Sequence, residues 1–175
     1  YFTPDGNFPN HPANPLEEEN LVDLKKKMKE VGADLGMAFD GDADRLFLVD
    51  KEGETITGTI MTAIVAEMIL AKNANETILY NAMCGKIVPE TVSKMGGKSM
   101  RVRAGHTFIK QHMKEEQAAF AGESSGHYFF RENWNADSGI IAGLIVLEYL
   151  AKVGKPLHEL RKMYDIYAAS GERNF

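Results

Sequence analysis

Apolar residues set the rhythm of this chain. Leu21, Leu24, Met28 and Val31 recur at helical spacing behind Pro15, with glutamates ahead, lysines following and Gly32 as a stop, so a helix is predicted from Pro15 onwards. Two short apolar runs, Asp34 to Phe39 and Arg45 to Val49, read as strands joined by an acidic loop. Asp50-Lys51-Glu52-Gly53 has turn composition, and Thr59 to Lys72 is apolar on almost every face, as in a buried helix. Strands and helices then alternate. Strands are predicted at Thr77 to Tyr80, Ser99 to Arg103, Ala119 to Ala121 and Tyr128 to Phe130. Helices are predicted at Pro89 to Met95, Phe108 to Glu116 and Ser138 to Lys152. Such alternation predicts an α/β fold, a layered sheet with covering helices.

The first fifteen residues hold Pro4, Pro9, Pro12 and Pro15 beside Asp5-Gly6-Asn7, which disfavours both helix and ladder and predicts a loop. A boundary is expected near residue 55, dividing the chain into units 1–54 and 55–166, with an exit linker at 167–175. The 175 residues, 44% hydrophobic and 26% charged, suffice to bury a core in a soluble globular chain. A net charge of −5 argues against a nucleic-acid surface. Lys25-Lys26-Lys27 follows Glu17-Glu18-Glu19, and acid before base along a helix complements its dipole, so this is a solvated face. The apolar stretches Ile60 to Ala71 and Gly139 to Leu150 fall short of the roughly 20 residues that span a bilayer, so no membrane role is expected. A lone cysteine, Cys84, excludes an intrachain disulfide and fits a reducing cytoplasm. Opening on Tyr1-Phe2-Thr3-Pro4, without methionine or signal peptide, the chain reads as a fragment or processed product.

Asp40, Asp42 and Asp44 stand at alternate positions, so in an extended loop their carboxylates project to one side. Oxygen-only ligands select a hard cation, Mg²⁺ before softer metals, and Gly41 and Ala43 keep the intervening positions small. An exposed acidic turn is the plain alternative, but such turns rarely interrupt two apolar strands with strict alternation. An EF-hand fails, because its sixth and twelfth positions are here Arg45 and Lys51 rather than Gly and Glu. Arg45 could grip a phosphate beside the metal, or serve only as counter-ion to the aspartates.

Gly122-Glu123-Ser124-Ser125-Gly126-His127 is a polar loop between apolar strands, and its acceptors and hydroxyls suit sugar hydroxyls, although ordinary turns share the composition. In Arg103-Ala104-Gly105-His106-Thr107, with Lys110 after it, Gly105 marks a strand-to-helix junction. Thr107 is a candidate cap, and His106 and Lys110 are placed on one face. Either histidine could be structural or catalytic. His112 and His158 fall in charged amphipathic helices, and His11 in the proline-rich loop. P-loop, G-x-S-x-G and cysteine–histidine zinc patterns are absent.

Together FDGDADR, RAGHTFIK and GESSGHYFF, with the opening DGNFPNHPANP and closing YAASGE, resemble the phosphomannomutase/phosphoglucomutase branch of the α-D-phosphohexomutases over nearly the whole chain. That family has four domains around a cleft, and the resemblance implies the later part of domain 2 and all of domain 3. It further implies Mg²⁺ on Asp40, Asp42 and Asp44, Arg45 at the enzyme phosphoserine, Glu123 and Ser125 on sugar hydroxyls, and His106 and His127 lining the cleft as catalytic residues. The implied partner is a phosphorylated hexose, mannose or glucose, isomerised through a bisphosphorylated sugar. No serine here sits in the family's nucleophile motif, and domains 1 and 4 are missing, so the chain alone is expected to be inactive. Met83 stands before Cys84 where some relatives carry lysine, which leaves the sugar open. Phosphoglucosamine mutase, or a non-catalytic metal- or sugar-binding module of the same fold, are the alternatives.

Overall fold

The run Leu46–Asp50, buried along its whole length, forms the middle strand β2 of an antiparallel sheet flanked by β1 (Leu35–Phe39) and β3 (Thr55–Ile56). The register pairs Leu35 with Asp50 and Phe39 with Leu46, so the acidic loop lies at one end of this hairpin. The computed structural model describes residues 5–168. The opening residues 1–4 and residues 169–175 of the expected exit linker, with part of the closing motif, lie outside the described residues. Helix α1 (Val22–Val31) covers one face of the sheet through Leu24 and Met28, joined by Leu21 just before it, and Gly32 ends it in the left-handed conformation at φ 67°. It does not begin at Pro15. A 3-10 turn at Glu18–Leu21 intervenes, and the Asn14 side chain accepts the Leu16 N–H at 3.3 Å, spending the preceding residues on a turn.

The second sheet runs β5-β4-β6-β7-β8, with β4 (Thr77–Asn81), β5 (Lys98–Val102) and β6 (Phe120–Gly122) parallel. Strands β7 (Tyr128–Phe130) and β8 (Ala136–Asp137) return antiparallel. Because strand side chains alternate, Leu79, Ala121 and Phe129 face Ile109 and Met113 of α4 (His106–Glu115). Ile78, Phe120, Tyr128 and Phe130 face the main core under α2 (Gly58–Lys72) and α5 (Gly139–Val153). Helix α3 (Ile87–Lys94) packs beside α2, and α6 (Leu157–Tyr164) closes the main core through Leu157, Leu160 and Tyr164. The result is helix–sheet–helix layering, in agreement with the expected fold class. Among the described residues no helix is long and apolar enough to cross a membrane.

Thr57 and Ser138 cap α2 and α5 by accepting the N–H of Ile60 and Ile141. Leu46 and Leu48 belong to the same core as α5, which welds the two sheets together. A second tie is polar: the fully buried Asp50 accepts from Arg161 Nε of α6 at 2.9 Å. Strands β3 and β8 were not anticipated, since two residues carry no readable alternation.

Candidate active site

Asp40 closes the acidic loop on itself. Its Oδ1 accepts the Arg45 N–H at 3.1 Å, its Oδ2 accepts Arg45 Nε at 2.6 Å, and its carbonyl accepts the Ala43 N–H at 3.3 Å. Ala43 takes φ 61°, so the loop is a tight turn rather than the extended segment expected, and the carboxylates converge by curvature instead of alternation. Oxygens of Asp40, Asp42 and Asp44 still lie within 4.8 Å of one another. Burial would raise the Asp40 pKa, but the Arg45 guanidinium and N–H outweigh it and hold the carboxyl below the usual range. Asp44 goes the other way: burial, then the neighbouring Asp40 carboxylate, push its pKa up. Its Oδ1 is buried with no hydrogen-bond partner. Hard oxygens, crowded negative charge and an orphaned acceptor fit a cation such as Mg²⁺.

Arg45 is thus a counter-ion to Asp40, and its Nη1 also reaches Asn14 Oδ1 at 3.4 Å, bringing the proline-rich loop to the site. Its backbone forms an antiparallel bridge with His127, Leu46 N–H donates to the Gly126 carbonyl at 3.1 Å, and the Tyr128 hydroxyl donates to the Leu46 carbonyl at 3.1 Å. The acidic loop and the 122–127 loop are therefore fastened at the backbone. Gly126, at φ 91°, lies so close to Phe47 that an added Cβ would come within 2.5 Å of the ring.

Within the second loop, Glu123 is almost wholly buried. It accepts the Gly105 N–H at 3.2 Å and approaches His127 Nδ1 at 3.4 Å. Burial alone would raise its pKa, yet His127 and the Gly105 N–H lower it. Ser125 Oγ sits 3.1 Å from the same Nδ1. His127 Nε2 then faces Asp44 Oδ2 at 3.6 Å. Burial opposes charge on this ring, but Glu123 and Asp44 prevail and raise its pKa. Asn81, at the end of β4, steadies the loop by accepting the Ser124 N–H at 3.3 Å.

The third segment joins from α4. Gly105, at φ 118°, is the N-cap and Thr107 lies inside the helix, so the expected threonine cap is not made. His106 and Lys110 do share a face: His106 Nε2 is 3.5 Å and Lys110 Nζ 3.6 Å from the carboxylate of Asp137. The rings of His106 and His127 meet edge-on with centroids 4.6 Å apart. Asp40, Asp42, Asp44, Arg45, His106, Glu123, Ser125 and His127 thus converge on one place. Asp137 was missed by sequence reasoning, although an acid directly before the Ser138 cap of a long apolar helix is a visible signal. Asn14 and Asn81 had none. Met83 is well exposed beside buried Cys84.

Fold and site together define a layered α/β protein with an acidic turn and an imidazole pair at the junction of two sheets. The family model described as phosphoglucomutase/phosphomannomutase, alpha/beta/alpha domain III, matches residues 57–167, and that for alpha/beta/alpha domain II matches residues 1–53. The chain belongs to this family. It is 44% identical to a phosphomannomutase of Methanocaldococcus jannaschii over 98% of its own length and 38% of the relative's. It is 40% identical to the phosphomannomutase of Escherichia coli K12, again over 98% of this chain and 38% of that one. A crystal structure of a phosphoglucomutase/phosphomannomutase family protein from Burkholderia thailandensis superimposes with a TM-score of 0.85 at 39% identity, over 90% of this chain and 35% of that one. The chain therefore spans a little over a third of the relatives it matches.

Proposed function

We propose that this chain is the central portion of a Mg²⁺-dependent phosphohexomutase, an isomerase interconverting hexose 1-phosphate and hexose 6-phosphate, with mannose and glucose phosphates as its substrates. The observation that carries the proposal is the meeting of three loops at His127, which contacts Asp44, Glu123 and Ser125 and meets the His106 ring edge-on. Asp40, Asp42 and Asp44 would hold Mg²⁺, which when bound supplies charge neutralisation for phosphoryl transfer. Arg45, oriented by Asp40 and Asn14, presents its remaining N–H groups to phosphoryl oxygens. Glu123 and Ser125 accept and donate to sugar hydroxyls, while His127, whose pKa is raised, adds positive charge to the cleft and His106 lines it beside that ring.

The division into residues 1–54, 55–166 and the linker 167–175 belongs to the same proposal and is supported by the two family matches. Domains 1 and 4 of the parent enzyme, which would bring the phosphoserine and the phosphate clamp, are proposed partners, as is a cytoplasmic location. The chain alone is inactive and binds Mg²⁺ weakly, because three carboxylates leave much of the ion's shell to water. The test is mutase turnover of mannose 1-phosphate by the whole protein. Its absence on every hexose or hexosamine phosphate overturns the proposal. In calorimetry of the present chain, Asp42→Ala should abolish the Mg²⁺ signal, and an unchanged affinity contradicts the metal assignment.

A further inference from the structure

Asp44 also belongs to a second group of ligands, of different chemical softness. One ligand atom each from Asp44, His106, His127 and Asp137 lies within 4.8 Å of all the others. Two of the closest pairs are His106 Nε2 to Asp137 Oδ2 at 3.5 Å and His127 Nε2 to Asp44 Oδ2 at 3.6 Å. Neither approach is a hydrogen bond: Asp137 Oδ2 itself is buried without a hydrogen-bond partner, as is Asp44 Oδ1, the other oxygen of the carboxylate that faces His127. The Asp137 side chain is only 8% exposed, and Lys110 approaches its other oxygen, Oδ1, at 3.6 Å. A buried carboxylate oxygen left unmatched is costly, and here it lies beside the His106 ring in a group that also holds His127 and Asp44.

We infer that Asp44, His106, His127 and Asp137 form a site for a borderline transition-metal ion of the Zn²⁺ or Co²⁺ class, separate in chemistry from the three-carboxylate loop. Zinc–ligand bonds of about 2.0–2.2 Å in a tetrahedron put neighbouring ligand atoms roughly 3.3–3.6 Å apart, which the two imidazole–carboxylate pairs already match, while the remaining pairs, all within 4.8 Å, need contractions of at most about 1.5 Å. Two carboxylates neutralise a divalent ion, and two imidazole nitrogens favour a borderline metal over Mg²⁺. His127 is already arranged as a metal-bound imidazole would be: its Nδ1 is engaged by Glu123 at 3.4 Å and Ser125 at 3.1 Å, which turns Nε2 towards the cluster. Asp137 arrives on the short strand β8 and His106 at the start of α4, so the ligands come from four separate segments.

Co²⁺ titrated into the 175-residue chain should give visible d–d bands of tetrahedral intensity at one ion per chain, and Zn²⁺ should bleach them. His106→Asn and Asp137→Asn should each weaken Co²⁺ binding at least tenfold, whereas Asp42→Asn, whose side chain belongs only to the carboxylate loop, should leave it within about threefold. Should Asp137→Asn fail to fold by circular dichroism, His106→Asn at its half-exposed position carries the test alone. The inference is overturned if no tetrahedral spectrum forms, or if Asp42→Asn removes it while His106→Asn keeps it. The spectrum is read without substrate, so a whole protein lacking mutase turnover would overturn the proposed function and leave this site standing.

Discussion

Replacing Arg161 by methionine should be one of the most destabilising single changes in this chain, and the cost should be asymmetric across the ion pair it breaks. Asp50 is fully buried in β2 and accepts Arg161 Nε at 2.9 Å together with the N–H groups of Glu52 at 2.9 Å and Glu54 at 3.0 Å. Arg161→Met keeps most of the apolar stem and removes the charge, leaving a buried carboxylate with two backbone donors. Removing one partner of a buried pair costs about 3–5 kcal/mol, and the two N–H groups argue for the lower end, about 3 kcal/mol. For a chain of this size that is a fall in Tm of about 6–12 °C. With a urea slope of about 2 kcal/mol per M, the midpoint moves by about 1.5 M. Asp50→Asn should cost less, about 1.5 kcal/mol, because the amide oxygen still accepts both N–H groups and Arg161 retains Glu52 at 3.3 Å and Asp165 at 3.6 Å. Urea unfolding of the three proteins side by side checks both numbers. If Arg161→Met unfolds within about 0.5 kcal/mol of the parent, or if Asp50→Asn proves the worse of the two, the account of this pair is wrong.

Three further outcomes follow from other contacts. A Cβ on Gly58 would collide with the Ser124 carbonyl and meet that of Glu123 at 2.7 Å, so Gly58→Ala should cost about 2 kcal/mol in urea; Gly85→Ala, meeting only Thr59 at 3.5 Å, should be near neutral. The Arg131 guanidinium holds the Glu76 pKa below its ordinary 4.5; a depressed carboxyl stabilises above the unfolded pKa, so this contribution should fade as pH falls below 4.5, and Glu76→Gln should flatten that limb of the urea midpoint against pH. Burial pushes the Cys84 thiol up to about 11, so iodoacetamide at pH 8 should leave it unmodified in the native chain and label it fully in urea.

The long elements were legible because their apolar periodicity had to be satisfied by burial: α2 and α5 fall within a residue or two of the expected bounds, and β7 spans the predicted Tyr128–Phe130. Ends set by geometry rather than pattern were less so. Helix α3 begins at Ile87, two residues before the predicted start at Pro89, because that proline still lies in the first turn, where no N–H is needed. The members of the acidic loop were visible from spacing, but its shape was not, since the left-handed turn at Ala43 arises from the Asp40–Arg45 closure. Asp137 escaped although it stands directly before the Ser138 cap, because that position says nothing of His106; it is β8 that brings the two together, a long-range placement that a two-residue strand does not announce.

The backbone fastening between Arg45, Leu46, Gly126 and His127 has a consequence for ancestry and for engineering. Two loops that share main-chain hydrogen bonds cannot be exchanged one at a time with those of a cousin, whatever the side chains. A graft of GESSGH alone would arrive without the strand that sets its register, and the FDGDADR turn alone would lose the wall it leans on. Chimeras cut between residues 47 and 121 should fail more often than those that carry both loops as one inherited block.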